Sequence, residues 1–323
     1  MIKFIIRRII VSLPLLLGIS FMTFLLITVT PGNFFDTLKM DPRVSPDTIA
    51  HYEKLYHLDK PLLEQYLVWL KNILKFDLGY SFYYNTPVVD IMKVRLWNTF
   101  LLSISSLILT WALAIPLGII MAVYRNRWID KILSLGSFLC LSVPSFFFAI
   151  LFLYAVSVVG GLPLGGMHSV HAQDLSWGQR FVDLLRHLLI PTVVISLGSI
   201  AALQRVMRGN LLDALGQQYI LAARAKGLPE NKVIFKHALR NAINPMITLL
   251  GYHFSGLLSG AALVEIICSW PGIGALMLTA VRAKDVYLVM ANMMMGGVLL
   301  LLGNLLADIL LAWADPRIRY EQR

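Results

Sequence analysis

Along the chain, apolar positions fall into long unbroken runs rather than the short periodic stripes of a soluble fold. Crossing a hydrocarbon core takes about 20 apolar residues in a helix. Windows near that length lie at 9–29, 99–123, 132–159, 188–204, 246–268 and 286–313. The fourth is the weakest, because Leu188 to Leu203 is only 16 residues. Pro14, Pro116, Pro144 and Pro191 fall inside these runs; transmembrane helices tolerate proline where neighbouring helices satisfy the freed backbone groups. The pattern predicts an all-α membrane protein with six transmembrane helices.

Between the first two runs lies 30–98, too long for a turn, which opens with the breakers Thr30-Pro31-Gly32-Asn33. Leu62, Leu63, Tyr66, Leu67, Leu70 and Leu74 then recur at helical spacing and predict an amphipathic helix. Asp77-Leu78-Gly79 reads as its stop, and Val88 to Val94 as a helix feeding the second span. The layout is an N-terminal span plus extracytoplasmic segment (1–98), a five-helix core (99–314) containing a cytoplasmic loop at 205–245, and a tail (315–323).

Composition agrees with lipid as the main solvent: 58% of residues are hydrophobic, 14% are charged, and mean hydropathy is +0.71. The net charge of +10 is spread beside apolar runs rather than gathered into a basic domain, so topology explains it better than nucleic acid does. With the N-terminus inside, the inner connections carry 16 Lys and Arg, while the two short outer connections carry 2 each. The 8 basic residues of 30–98 are balanced by 8 acids. Both termini are therefore expected in the cytoplasm, with the chain multi-pass in the inner (plasma) membrane. Lys3, Arg7 and Arg8 precede a first run too long for a secretory signal and without a small-residue cleavage site, so it reads as a retained span. Cys140 and Cys268 both lie in apolar runs and read as core residues.

The most informative stretch is the basic loop at 205–245. Tyr219 to Lys226 reads as a helix, Gly227 as its left-handed terminator, and Pro229 as a block on continuation. A second helix follows through Lys232 to Asn241. Ala222, Ala223 and Ala225 permit close approach of another surface. Leu221, Ala225 and Leu228 share a face, with Arg224 and Lys226 beside it. This is a short helix suited to a protein groove. The plain alternative is an ordinary basic helix pair of the kind positive-inside bias produces.

The spacing Ala222-Ala223 followed by Gly227, with a second helix after it, resembles the EAA loop of ABC importer permeases. Residues 223–228 and 237–242 resemble the dipeptide/oligopeptide/nickel branch of that family, in its B-type subunit. Further matches are Phe24 with Thr30-Pro31-Gly32, Asp77-Leu78-Gly79, residues 269–274 and residues 315–319. Leu221 stands where the motif's glutamate would be, and Arg240 where a proline is common.

The resemblance implies a type I importer permease fold and a non-catalytic transmembrane subunit forming half of a pathway for short peptides. Leu221, Ala222, Ala223, Arg224, Lys226, Gly227 and Leu228 would couple it to the ATPases. No G-x-x-x-x-G-K-[ST] is present, so no cofactor is expected on this chain, and ATP and Mg would sit on the partners. The implied partners are two ATPase subunits, a second homologous permease, an extracytoplasmic binding protein and membrane lipid, with no nucleic acid. Nickel, glutathione or another small solute is the alternative cargo. A stand-alone secondary transporter is the alternative class, but the repeats and intramembrane ion sites it would show are not evident.

Other positions carry weaker signals. Intramembrane carboxylates suggest function by default. Glu265 reads as lining the translocation path or pairing structurally, and Asp308 as pairing near Trp313 and Arg317. Ser269, Trp270, Pro271 and Gly272 interrupt the apolar pattern and read as a re-entrant outer gate, with a loop on the membrane surface as the alternative. Met290 and Met293–Met295 read as helix packing rather than a metal box. His168 and His171 lack a supporting cluster, and 160–166 reads as a turn. Metal and enzyme chemistry are not expected.

Overall fold

The computed structural model describes residues 2–30, 34–39, 45, 47, 54, 60–246, 249–250 and 262–314. Among these, the long apolar helices with the length to cross a bilayer are Ile6–Val29, Val88–Val123, Trp177–Leu215 and Val286–Leu306. A further candidate is a bent pair, Trp128–Ser142 and Ser145–Val159, whose axes meet at 104°. The expected span at 132–159 is thus bent at Val143-Pro144. A residue before proline is pushed out of the helical region, and Val143 is extended (φ −98°, ψ 128°). Pro14, Pro116 and Pro191 stay inside helices. The expected span at 246–268 lies largely outside the described residues; its end is the Ala262–Ile267 helix.

The weak fourth window belongs to the longest helix, Trp177–Leu215, of 39 residues. At 1.5 Å per residue it is about 58 Å long, well beyond a hydrocarbon core. Ser176 and Gln179 form a capping box at its start. Its end turns are polar, with Asp183, His187 and Gln204 buried and Gln179, Arg180, Arg186, Arg205 and Asp213 exposed, which is why hydropathy alone shortens it.

The chain folds as two compact units. The first joins Met1–Thr99 to Pro271–Leu301. Its amphipathic helix runs Leu62–Ile73 and buries Tyr66 and Trp69 against Phe24 and Met290. Tyr66 Oη lies 2.9 Å from Ser20 Oγ of the first helix. The helix ends before Asp77-Leu78-Gly79, where Phe76 turns left-handed (φ 61°). Asp77 shapes the next turn instead, its Oδ1 accepting from the Gly79 N–H at 2.9 Å. A hairpin of two-residue strands then pairs Tyr80–Ser81 with Thr86–Pro87 and leads into the Val88–Val123 helix.

The second unit joins Phe100–Trp270 to Leu302–Arg323. Its core packs the Trp177–Leu215 helix against the later part of the Val88–Val123 helix. The two helices approach closely at Gly118, where a Cβ would lie 2.6 Å from Met207 Cβ and 2.7 Å from Gln204 O. Only glycine fits there. A buried Ser196 hydroxyl on the long helix sits 3.1 Å from the Ser106 carbonyl of its neighbour.

Candidate functional site

Gly216 ends the long helix, and the chain re-enters a helix at Gln218–Ala225. Ile220 and Ala223 are buried in an apolar cluster with Met207, Leu211, Ala214, Val233 and Ala238. The short helix therefore rests on the end of the long one. Gly227, at φ +73°, terminates it. The Gly227 N–H donates to Arg224 O at 2.9 Å and the Leu228 N–H to Ala223 O at 3.4 Å, the paired bonds of a Schellman stop.

After Pro229 the second arm comprises Glu230–Lys232, a π-helical turn Val233–Ala238, and Leu239–Ala242. Two ties brace the arms. Arg224 straddles the turn to Glu230 with bonds of 3.1 and 2.5 Å, and Asn241 Nδ2 donates to Tyr219 Oη at 2.8 Å. The Arg224 guanidinium holds the Glu230 carboxyl below the usual glutamate range, and Glu230 raises Arg224 further.

Leu221, Ala222, Arg224, Ala225, Lys226 and Gly227 are exposed, with Leu221 at 58%. Ala223 faces inward, and Leu228 packs on the buried cluster instead of sharing the outer face with Leu221 and Ala225. The reason is local: left-handed Gly227 reverses the chain, so helical spacing no longer predicts the direction of Leu228. The presented surface is small and largely apolar, with two cations, Arg224 and Lys226, at its edge.

The irregular stretch near 270 is pinned on both sides. In the second unit Ser269 is left-handed (φ 53°), the Trp270 N–H donates to Glu265 O at 2.8 Å, and Trp270 is fully buried against Leu102 and Leu188. Glu265 is 1% exposed. In the first unit Asn98 Nδ2 donates to Pro271 O, Thr99 Oγ1 accepts from the Ile273 N–H, and Asn292 Nδ2 donates to Ile273 O, each at 2.9 Å. Gly272 precedes the Ile273–Arg282 helix. The backbone groups freed by this break thus find side-chain partners.

The two histidines are not brought together. His168 Nδ1 lies 3.4 Å from Asp183, whereas His171 is exposed beside Asp174. Asp183 accepts from the Ser169 N–H and hydroxyl at 2.9 and 2.5 Å, folding the connection onto the start of the long helix. Met290 packs with Tyr66 and Trp69. Asp308 is half-buried, and Arg317 lies outside the described residues. Among the described residues no group of three or more His, Cys, Asp or Glu is arranged to hold a metal.

Two further buried carboxylates, besides Asp183, escaped the sequence reading. Asp285 accepts from the Ser81 hydroxyl at 2.6 Å and the Tyr83 N–H at 3.1 Å, tying the hairpin to the start of the Val286–Ala314 helix. Asp130 takes both arms of the Arg208 guanidinium at 2.8 Å each. Their partners are 204 and 78 residues away, so no local spacing could reveal them.

Comparison with known proteins matches residues 114–320 to the binding-protein-dependent transport system inner membrane component and 1–103 to the N-terminal region of such membrane components. The oligopeptide transport system permease protein AppB of Bacillus subtilis (strain 168) is 38% identical over 99% of this chain and 100% of its own length. The dipeptide transport system permease protein DppB of Escherichia coli (strain K12) is 32% identical over the whole of both chains. Among solved structures, the MetNI methionine ABC transporter in inward-facing conformations aligns over 70% of this chain and 97% of its own, with TM-score 0.53 and 15% identity, a likeness of fold. The chain belongs to the family of binding-protein-dependent transport system inner membrane components.

Proposed function

We propose that this permease subunit of an ABC importer forms half of the translocation pathway for di- or oligopeptides. The observation that carries the peptide reading is end-to-end similarity to permeases named for oligopeptides and dipeptides. A second homologous permease would complete the pathway. Two ATPase subunits would bind ATP and Mg, leaving this chain without catalysis of its own. An extracytoplasmic binding protein would deliver the solute.

In this reading the chain crosses the membrane six times, with both termini cytoplasmic and the segment up to residue 98 mostly outside. Residues 99–314 form the five-helix core, and 315–323 a cytoplasmic tail. Leu221, Ala222, Lys226 and the exposed flank of Arg224 enter the ATPase groove, while Ala223, Gly227 and Leu228 hold the short helix at its angle. ATP-driven closure of the ATPases moves this loop, and the bundle alternates between outward and inward access. Such a shift requires contacts that differ between the two states, which nucleotide binding supplies through the docked loop. Glu265 with Ser269 to Gly272 lines or gates the outer mouth.

The test is mild-detergent purification of the tagged chain with mass spectrometry of what accompanies it, then transport in liposomes. ATPases and a second permease should co-purify. Gly227→Pro cannot adopt φ +73°, and Arg224→Glu reverses the charge at the turn. Both variants should insert normally yet lose ATP-coupled uptake. Normal uptake by both would refute docking through this loop, and transport by the chain alone without ATP would refute the importer reading.

A further inference from the structure

The long helix enters the coupling loop, so the groups bolted to it decide what moves with it. Arg208 lies seven residues, two helical turns, before Leu215, where that helix ends. Its Nε donates to Asp130 Oδ1 and its terminal nitrogen to Oδ2, both at 2.8 Å. The Asp130 side chain is 5% exposed and that of Arg208 28%. Asp130 sits in the first turn of the Trp128–Ser142 helix, and its Oδ2 also accepts from the Asn126 N–H at 2.9 Å, closing the turn before that helix.

Further along the same two helices, Gln204 Nε2 donates to the buried Ser137 hydroxyl at 2.5 Å, and the Arg205 guanidinium stacks 4.3 Å from the Phe138 ring centre. On its other side the stretch is wedged against Gly118 through Met207 and Gln204 O.

These contacts differ in what they can transmit. Apolar packing is non-directional and lets two helices slide. A forked guanidinium–carboxylate pair fixes distance and rotation together, and a buried pair is costly to break because each partner would be left as an uncompensated charge. We propose that Asp130 and Arg208 form the joint that makes the bent pair, Trp128–Ser142 with Ser145–Val159, follow the long helix when the coupling loop moves. Both are positioning residues: they act by locking one helix to another. This deepens the importer reading and rests on it.

The test uses the complete importer in liposomes, with Cys140 and Cys268 replaced by serine and spin labels at the exposed positions Asp213→Cys, on the long helix, and Tyr154→Cys, on the far arm of the bent pair. Their distance is measured without nucleotide and with ATP trapped by vanadate. With the joint intact, the distance should change by less than about 2 Å. With Asp130→Asn, which keeps the side chain's shape and an acceptor for Asn126, it should broaden or shift by more.

ATP hydrolysis should persist in this variant while uptake per ATP falls about tenfold, the size of a typical coupling energy between sites. A wild-type distance that already moves with ATP, or an Asp130→Asn distance as constant as the wild type, overturns the proposal. If Asp130→Asn does not assemble, Arg208→Lys decides: it keeps the charge and loses the fork, so a partial loosening supports the joint and an unchanged distance refutes it. Arg224→Glu run alongside separates the two readings. Loss of the ATPases from that variant with no effect of Asp130→Asn refutes only the joint, whereas ATPases and uptake unaffected by Arg224→Glu and by Gly227→Pro refute docking through the loop.

Discussion

Asp285 and Glu230 each hold a turn beside a helix terminus, one fully buried and the other half-exposed. Asp285 accepts from the Ser81 hydroxyl, the Tyr83 N–H and, through Oδ1, the Leu288 N–H at 3.2 Å. Its donors are neutral. Burial outweighs them and pushes its carboxyl above the usual aspartate range. Glu230 meets a guanidinium in solvent and is pulled the other way. At Asp285 the acceptor geometry holds the turn and the charge is a burden; at Glu230 the charge itself is the tie.

The largest effect follows from breaking the buried turn. Asp285→Ala would leave the donors of Ser81, Tyr83 and Leu288 without their acceptor, at a cost of about 3 kcal/mol to local stability. Asp285→Asn keeps one acceptor oxygen of the same shape but turns an NH2 toward the donors that the other oxygen served, so it should cost less than alanine, about 1 to 2 kcal/mol. Hydrogen exchange at the Phe82 to Tyr84 amides measures both, with protection falling about a hundredfold in the alanine variant. If asparagine proves as damaging as alanine, the contrast between the two turns fails.

That contrast was only half visible in the sequence. Gly227 was legible because a helix stop followed by Pro229 needs a left-handed residue, a demand that acts locally. The amphipathic helix at Leu62–Ile73 was legible from its period, although only one side of it, Tyr66 and Trp69, is buried. The full length of Trp177–Leu215 was hidden, because hydropathy reports a preference for lipid and the end turns of this helix carry charged and polar residues, several of them exposed. Pro144 could be seen, but not that it alone among the prolines within the predicted spans would break its helix, since that depends on what its neighbours supply. Leu228 was misdirected by extending helical spacing past Gly227. Asp130 and Asp285 could not be found, because each is defined by a partner distant in sequence.

A middle-sized effect sharpens the exposed side. Nothing lies within 4 Å of a Cβ placed on Gly227, so Gly227→Ala meets no steric obstacle and differs only in backbone preference. At φ +73° it should cost about 1 kcal/mol. Exchange at the Gly227 and Leu228 amides should rise about fivefold, against no change at Phe82 to Tyr84. A larger loss would mean that the turn is held by more than its backbone conformation.

The smallest effect concerns charge and pH, and here the two turns should respond with opposite sign. Glu230→Gln removes a solvent-wetted ion pair and should cost well under 1 kcal/mol, about 0.5, fading further in high salt. Because the Glu230 pKa is lowered on folding, its stabilisation is present above the ordinary glutamate value and is lost as pH falls through the lowered one. Because that of Asp285 is raised, its contribution is fully present below the ordinary aspartate value and is lost as pH rises through the raised one. Acidification should therefore loosen the 224–230 turn while tightening the 81–84 hairpin, once exchange rates are corrected for their intrinsic pH dependence. Loosening of both together would mean that the Asp285 turn also depends on its charge, and that burial has not set the two carboxylates apart.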